Sequence, residues 1–116
     1  MCLWELEVSF ASSVSCFSNK ESEFFCTYFS LKNFYKSSAN NLASSIKVFE
    51  FSKKYSAPIV YASSCAVYGN LSLGSDQINK FSIMSPYAQD KLTIEHYAKM
   101  SFEIFKTSSV GLRLYN

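Results

Sequence analysis

The pattern of apolar and polar residues is clearest after residue 39. Leu42, Ile46 and Phe49 fall along one face of a helix, with charged residues outside that face. The pattern predicts a helix that begins with Asn41 as its cap and runs to about Tyr55.

A second helix and two strands follow. Residues 57–63 form a short, continuously apolar run, which is typical of a strand buried on both faces of a parallel sheet. After a loop that contains Gly69, apolar side chains from Tyr87 to about Phe105 predict a helix with a broad apolar surface. Residues 109–115 predict another buried strand. This alternation of helices and strands predicts an α/β fold with helices on a parallel sheet.

The N-terminal third is harder to interpret. Alternating apolar and polar residues over 3–11 predict a strand, and the aromatic residues at 24–31 predict a short helix that packs on the core. We therefore divide the chain into an N-terminal segment, residues 1–39, and an α/β segment, residues 40–116.

Composition narrows the class of protein. The chain has 116 residues, of which 48% are hydrophobic and 17% are charged, so one globular domain or a piece of one is expected.

The net charge of +2 predicts no nucleic-acid partner, and the sequence has no apolar run of about 18 residues, so we expect no membrane span. The four cysteines form no C-x-x-C pair and there is one histidine, so we expect no metal site and a reduced, cytoplasmic compartment. Disulfides in a secreted protein are the alternative.

Tyr87 and Lys91 are candidates for acid–base chemistry. They are four residues apart, which places them on one face of the predicted helix, and the preceding Ser-Pro dipeptide suits a helix start. A nearby ammonium favours the ionised phenol and lowers its pKa towards neutral pH, where a general base works best. Tyr28 and Lys32 have the same spacing without the Ser-Pro start, and a pair without other support is more often part of a solvated helix face.

Two hydroxyl groups follow the first clear strand. Ser63 and Ser64 stand where that strand ends, and ligands of open parallel sheets bind outside the carboxyl ends of the strands. These hydroxyls can bond a substrate oxygen or the phenolate of Tyr87. Ordinary turn chemistry is the alternative.

Three motifs occur in a specific order. They are Ile-Val-Tyr-Ala-Ser-Ser-Cys-Ala-Val-Tyr-Gly at 59–69, Ser-Pro-Tyr-Ala-Gln-Asp-Lys at 85–91 and Gly-Leu-Arg-Leu-Tyr-Asn at 111–116. Together they resemble the NAD-dependent epimerase/dehydratase family, the extended short-chain dehydrogenases/reductases, and within it the UDP-glucose 4-epimerase-like branch that acts on nucleotide sugars. The resemblance covers roughly residues 40–116 and implies part of a Rossmann-like, doubly wound domain.

The resemblance also implies roles for individual residues. Ser64 matches the catalytic Ser/Thr that binds the reacting sugar hydroxyl, Tyr87 matches the catalytic base, and Lys91 matches the lysine that lowers the tyrosine pKa and bonds the nicotinamide ribose. Tyr115 falls where the family has an aromatic residue near the nicotinamide. Asn116 matches an asparagine that contacts the diphosphate of the sugar nucleotide.

The cofactor and partners follow from the same resemblance. It implies NAD as cofactor, a nucleotide sugar as substrate, and a homodimer that pairs the two helices in the full-length family form. Asn40 and Asn41 resemble a family asparagine near the cofactor, although Ser44-Ser45 replaces the Gly-Thr that normally follows it.

The chain also departs from the family pattern. The G-x-x-G-x-x-G turn that lets the backbone approach the pyrophosphate is absent, as is the C-terminal substrate domain. We therefore expect an internal piece of an epimerase-like enzyme that binds NAD poorly and does not turn over alone. A non-catalytic remnant or interaction module is one alternative, and a reductase or dehydratase is another. Dehydratases commonly have an Asp-Glu pair where this chain has Cys65-Ala66, which favours an epimerase or reductase.

Overall fold

The computed structural model describes residues 27–70 and 81–114. Residues 27–32 are helical. The elements that follow, in chain order, are α1 (Phe34–Tyr55), β1 (Ile59–Ser64), a 3-10 turn (Cys65–Tyr68), α2 (Pro86–Phe105) and β2 (Ser109–Leu114). The predicted order of helix, strand, loop, helix and strand is therefore confirmed. The strand predicted over residues 3–11 lies outside the described residues.

The two strands pair in parallel. Ile59 is opposite Ser109 at one end of the pair, and Ser64 is opposite Leu114 at the other. The connections from α1 to β1 and from α2 to β2 are alike. Each helix is followed by a residue with a left-handed backbone, Ser56 (φ 52°) or Lys106 (φ 58°), and the next strand begins three residues after it. Both strands consequently end at the same level of the sheet.

Helix α1 begins eight residues earlier than the sequence predicts, with its cap position at Asn33 instead of Asn41. It starts at Phe34, after Asn33, whose side chain makes no capping hydrogen bond. Asn41 lies inside the helix, where its side-chain amide donates to Asp90 Oδ2 on α2 at 3.0 Å. Ser37 and Asp90 are both buried, so contact with α2 anchors the first turns of α1. The predicted cap at Asn41 is wrong because this tertiary contact outweighs the local preference of asparagine for a helix start.

The hydrophobic core lies between the two helices and one face of the sheet. The rings of Phe49 and Tyr61 meet edge to face, with centroids 5.8 Å apart. The apolar faces predicted for the two helices supply much of this core. Its buried residues are Phe49, Ile59, Ile94 and Ala98, and Leu42, Val48, Tyr61 and Tyr97 pack against them.

The opposite face of the sheet is exposed, contrary to the prediction that both strands are buried. Val60 is 60% exposed and Val110 is 57% exposed, and Leu112 and Leu114 also reach solvent. The prediction is wrong because, in the described part of the chain, α1 and α2 pack on the face that carries Ile59. Within the same residues, no helix combines the length and apolar character needed to cross a membrane.

We expect Phe49→Ala to lower the free energy of unfolding by about 3–5 kcal/mol, because the substitution removes a buried ring from the core. Phe34→Ala, on the same helix, should have a much smaller effect because Phe34 is 61% exposed. Urea denaturation of the two variants tests this difference. Equal losses would contradict the described core.

Candidate active site

The start of α2 is fixed by two serine hydroxyls. Ser85 Oγ accepts a hydrogen bond from the Ala88 N–H at 3.1 Å, and Pro86 occupies the first turn, as the sequence predicts. Ser30, which is fully buried, accepts from the Tyr87 N–H at 3.2 Å. These bonds satisfy two of the amides that a helix start leaves without intrahelical partners, and they hold the backbone around Tyr87.

Tyr87 and Lys91 lie together, as their spacing predicts. Lys91 Nζ is 5.6 Å from the centroid of the Tyr87 ring. It also donates to the Ala62 carbonyl at 3.0 Å, so the ammonium is tied to β1 two residues before Ser64. Tyr87 is only 5% exposed. The pair therefore lies on the side of α2 that faces the end of β1.

Comparison with the Tyr28–Lys32 pair shows what distinguishes the Tyr87–Lys91 pair. Lys32 Nζ is 5.0 Å from the centroid of the Tyr28 ring, so it is no more distant than in the Tyr87–Lys91 pair. Both residues are exposed, however. Burial of the phenol and attachment of the ammonium to a strand, rather than spacing, single out Tyr87.

Ser64 ends β1 and begins the 3-10 turn. Its Oγ accepts a hydrogen bond from the Ala66 N–H at 3.1 Å, and the residue is 1% exposed. Gly69 follows the turn and caps it, with φ 51°, at a position where a Cβ would collide with the Ser82 carbonyl. Ser82 in turn donates its N–H to the Val67 carbonyl at 3.1 Å, so Ser82 lies against this turn.

A polar network lies one helical turn beyond Lys91. Glu95 accepts two hydrogen bonds from Arg113, Nε to Oε1 at 2.9 Å and Nη2 to Oε2 at 2.7 Å. Ser63 Oγ donates to Glu95 Oε1 at 2.5 Å, and Arg113 Nη1 donates to the Tyr68 hydroxyl at 2.7 Å. The network joins α2, β1, β2 and the 3-10 turn.

The electrostatics of this network follow from its hydrogen bonds. Burial alone would raise the pKa of Glu95, but the bonds from Arg113 and Ser63 outweigh it and hold that pKa below its ordinary value. The Glu95 bond raises the pKa of Arg113. Burial, with the Glu95 charge adding to it, raises the pKa of Tyr61 to about 12, so Tyr61 stays protonated and is a poor base.

An open cavity of about 490 Å³ borders this network. Tyr61, Glu95 and Arg113 are among its lining residues, whereas Ser64, Tyr87 and Lys91 are not. The cavity is therefore distinct from the candidate catalytic group. Among the described residues, no cluster of side chains could hold a metal ion.

The other candidate residues are more dispersed. Asn40 is exposed on α1, and Asn41 donates to Asp90, the residue before Lys91. Tyr115 and Asn116 lie outside the described residues. The structure thus brings Tyr87 and Lys91 together, attaches Lys91 to the strand that ends in Ser64, and links Asn41 to the same helix.

Sequence reasoning assigned no role to Ser30, Glu95 or Arg113. Glu95 had a usable signal, because it stands four residues after Lys91 and continues the same helix face. Ser30 had none, since it lies in a segment without clear periodicity and its contact with Tyr87 spans 57 residues.

A parallel strand pair packed against helices, with polar side chains at its carboxyl edge, is an α/β arrangement that fits part of a Rossmann-like fold. Residues 30–116 match the sequence model of the NAD dependent epimerase/dehydratase family. The chain belongs to this family.

Individual relatives agree with this assignment. The chain is 30% identical over 77 residues to an ADP-L-glycero-D-manno-heptose-6-epimerase of Alkalilimnicola ehrlichii. Its structure is similar to a UDP-N-acetylglucosamine 4-epimerase from Methanobrevibacter ruminantium in complex with UDP-N-acetylmuramic acid, with a TM-score of 0.73 and 30% identity over 78% of this chain. A UDP-glucose 4-epimerase from Brucella ovis in complex with NAD has the same fold, with a TM-score of 0.71 and 24% identity over 78% of the chain.

The matched region is a small part of each relative. The chain covers 24% of the heptose epimerase, 30% of the Methanobrevibacter enzyme and 28% of the Brucella enzyme. The chain therefore spans about a quarter to a third of the length of these relatives.

The Glu95–Arg113 ion pair should make the free energy of unfolding depend on pH in the acid range. Because the pKa of Glu95 is lowered on folding, its stabilising contribution is present above the unfolded value of about 4.3 and is lost as the pH falls through the lower folded value. We expect Glu95→Gln to lose less stability than the parent chain over that range. Denaturation midpoints from about pH 6 to about pH 3 measure this.

Glu103→Gln is the matched control, because Glu103 forms an exposed pair with Lys99 on the same helix at 4.0 Å. Its denaturation midpoint should depend on pH in the same way as that of the parent chain. A Glu95→Gln profile parallel to the parent would show that Glu95 does not contribute to the pH dependence.

Proposed function

We propose that the chain carries the proton-transfer part of an NAD-dependent epimerase/dehydratase-type site for nucleotide sugars. The observation that supports this most directly is the buried Tyr87 with the Lys91 ammonium beside its ring and bonded to β1. General-base catalysis needs a phenol whose ionised form is stabilised and whose position is fixed. The family membership supplies the reaction class.

Each residue has a distinct part in the proposed reaction. Tyr87 takes the proton from a sugar hydroxyl, and the Lys91 charge stabilises the phenolate that does so. Ser64 bonds the same hydroxyl from the end of β1. The substrate would thus lie at the carboxyl edge of the sheet, where ligands of open α/β sheets bind.

The chain has a residue suited to the nicotinamide half of NAD but no sequence motif for its pyrophosphate. A lysine ammonium carries three N–H donors and ribose hydroxyls accept hydrogen bonds, so Lys91, which is anchored to the Ala62 carbonyl, has the donor chemistry to bind the nicotinamide ribose. The sequence has no G-x-x-G-x-x-G turn for the pyrophosphate. NAD, when bound, would accept and return the hydride, while this chain positions the nicotinamide ribose and moves the proton.

The residues after Ser64 argue against a dehydratase and leave an epimerase or a reductase. Cys65 and Ala66 offer no carboxyl group to help a water molecule leave, which favours an epimerase or reductase. Pairing of α1 and α2 across a homodimer belongs to the same proposal for a longer form. The exposed Phe102 and Ile104 on α2 are compatible with it.

The isolated chain should bind NAD only weakly, because the pyrophosphate turn is missing from its sequence. Titration calorimetry with NAD should give no saturable heat. Saturable binding of about one NAD per chain would contradict this and would mean that residues 1–39 contribute a cofactor site.

Tyr87→Phe should abolish most nucleotide-sugar turnover in a preparation that supplies a glycine-rich cofactor site, because removing a general base costs about 10²–10⁴-fold. That preparation is the chain mixed with a polypeptide that carries the glycine-rich half of a family enzyme. Tyr28→Phe is the control, since it has the same lysine spacing on an exposed surface. Equal losses in the two variants would exclude Tyr87 as the base.

A non-catalytic interaction module is the second candidate. The lack of a G-x-x-G-x-x-G turn in the sequence favours it. Absence of turnover in the complemented preparation, together with formation of a stable complex, would support this candidate over the catalytic one.

A further inference from the structure

The turn that begins at Ser64 is held on both sides. Ser63, immediately before it, donates to Glu95 Oε1 at 2.5 Å. Tyr68, the last residue of the turn, accepts from Arg113 Nη1 at 2.7 Å. Glu95 and Arg113 bond each other through both carboxylate oxygens. A single charged pair therefore contacts the residue before Ser64 and the residue that ends its turn.

The same pair is anchored to rigid elements. Glu95 lies on α2 one turn after Lys91, whose Nζ bonds the Ala62 carbonyl. Arg113 lies on β2 directly opposite Ser63 in the strand register. Helix α2 is consequently attached to the end of β1 at two successive levels, Ala62 through Lys91 and Ser63 through Glu95.

Burial strengthens these contacts. The Glu95 and Arg113 side chains are only 16% and 18% exposed. Charge-assisted, bidentate hydrogen bonds of this kind are short and directional, so they restrict geometry as well as contribute energy. The Arg113 guanidinium also lies 4.9 Å from the centroid of the Tyr68 ring, which limits the movement of that ring.

We propose that Glu95 is a positioning residue, which acts through Ser63 and Arg113 to fix the turn that holds the Ser64 hydroxyl. The importance of Ser64 in this statement rests on the proposed function. The restriction of its turn is a physical property of the chain and is measurable without cofactor or substrate.

Two amide protons provide a matched pair of probes. The Ala66 N–H donates to Ser64 Oγ and the Ala88 N–H donates to Ser85 Oγ, both at 3.1 Å. Both are alanine amides bonded to the hydroxyl of a serine that precedes a helical turn. Only the first lies in the turn that the Glu95 network holds.

Amide hydrogen exchange of Glu95→Gln, measured by NMR, tests the proposal. Loss of the charge weakens the bonds from Ser63 and Arg113, so the Ala66 amide should exchange about tenfold faster or more. The Ala88 amide should change by less than about twofold, because its bond to Ser85 lies outside the network.

Three further variants separate local positioning from general stability. Glu103→Gln, the same substitution in an exposed pair, should move neither amide. Phe49→Leu weakens the core and should accelerate both amides together. Tyr68→Phe removes one hydrogen bond and should accelerate Ala66 less than Glu95→Gln does, and it remains informative if Glu95→Gln does not fold.

Equal acceleration of both amides by Glu95→Gln would overturn the proposal in favour of a general structural role. Unchanged exchange at Ala66 in both Glu95→Gln and Tyr68→Phe would also overturn it. These measurements use neither NAD nor a sugar, so their failure is distinguishable from failure of the Tyr87→Phe experiment.

Discussion

Two charged side chains on one face of α2, Lys91 and Glu95, attach that helix to the end of β1. Lys91 bonds a backbone carbonyl and Glu95 bonds a strand hydroxyl and a strand guanidinium. Removing charge from water is costly unless the group gains compensating partners; here Glu95 is ion-paired with Arg113 and Lys91 is hydrogen-bonded to the Ala62 carbonyl. The placement of Tyr87 relative to the strand end depends on this attachment, because Tyr87 is one turn before Lys91 on the same helix.

Local signals were sufficient to predict the order of the elements. The cap at Ser85 and the apolar periodicity of α2 depend on neighbouring residues only, and the structure confirms both. The start of α1 was not predictable in this way, because it depends on a bond between Asn41 and Asp90, 49 residues apart. The exposure of Val60 was not predictable either, since an apolar strand has the same sequence whether one or two faces are covered.

The candidate site, like the fold, has features that were predictable from the sequence and features that were not. The proximity of Tyr87 and Lys91 follows from helical spacing and was predictable. The partnership of Glu95 with Arg113 was not, because it joins a helix to a strand and no periodic pattern encodes the contact. The sequence therefore indicates which groups have the chemistry, whereas the groups that hold them in place become visible only when the elements are packed.

The parallel pairing of β1 with β2 has a consequence for the time course of folding. Its partners lie 50 residues apart, as Ile59 and Ser109 show, and closing a segment of that length costs about 3–4 kcal/mol of chain entropy. Docking of α2 on β1 before the strands pair would close 29 to 32 of those residues and leave a span of 18 between Glu95 and Arg113. In that order of events the helix would divide one long closure into two shorter ones, and its polar contacts with β1 would affect the rate at which the second strand is added as well as its position.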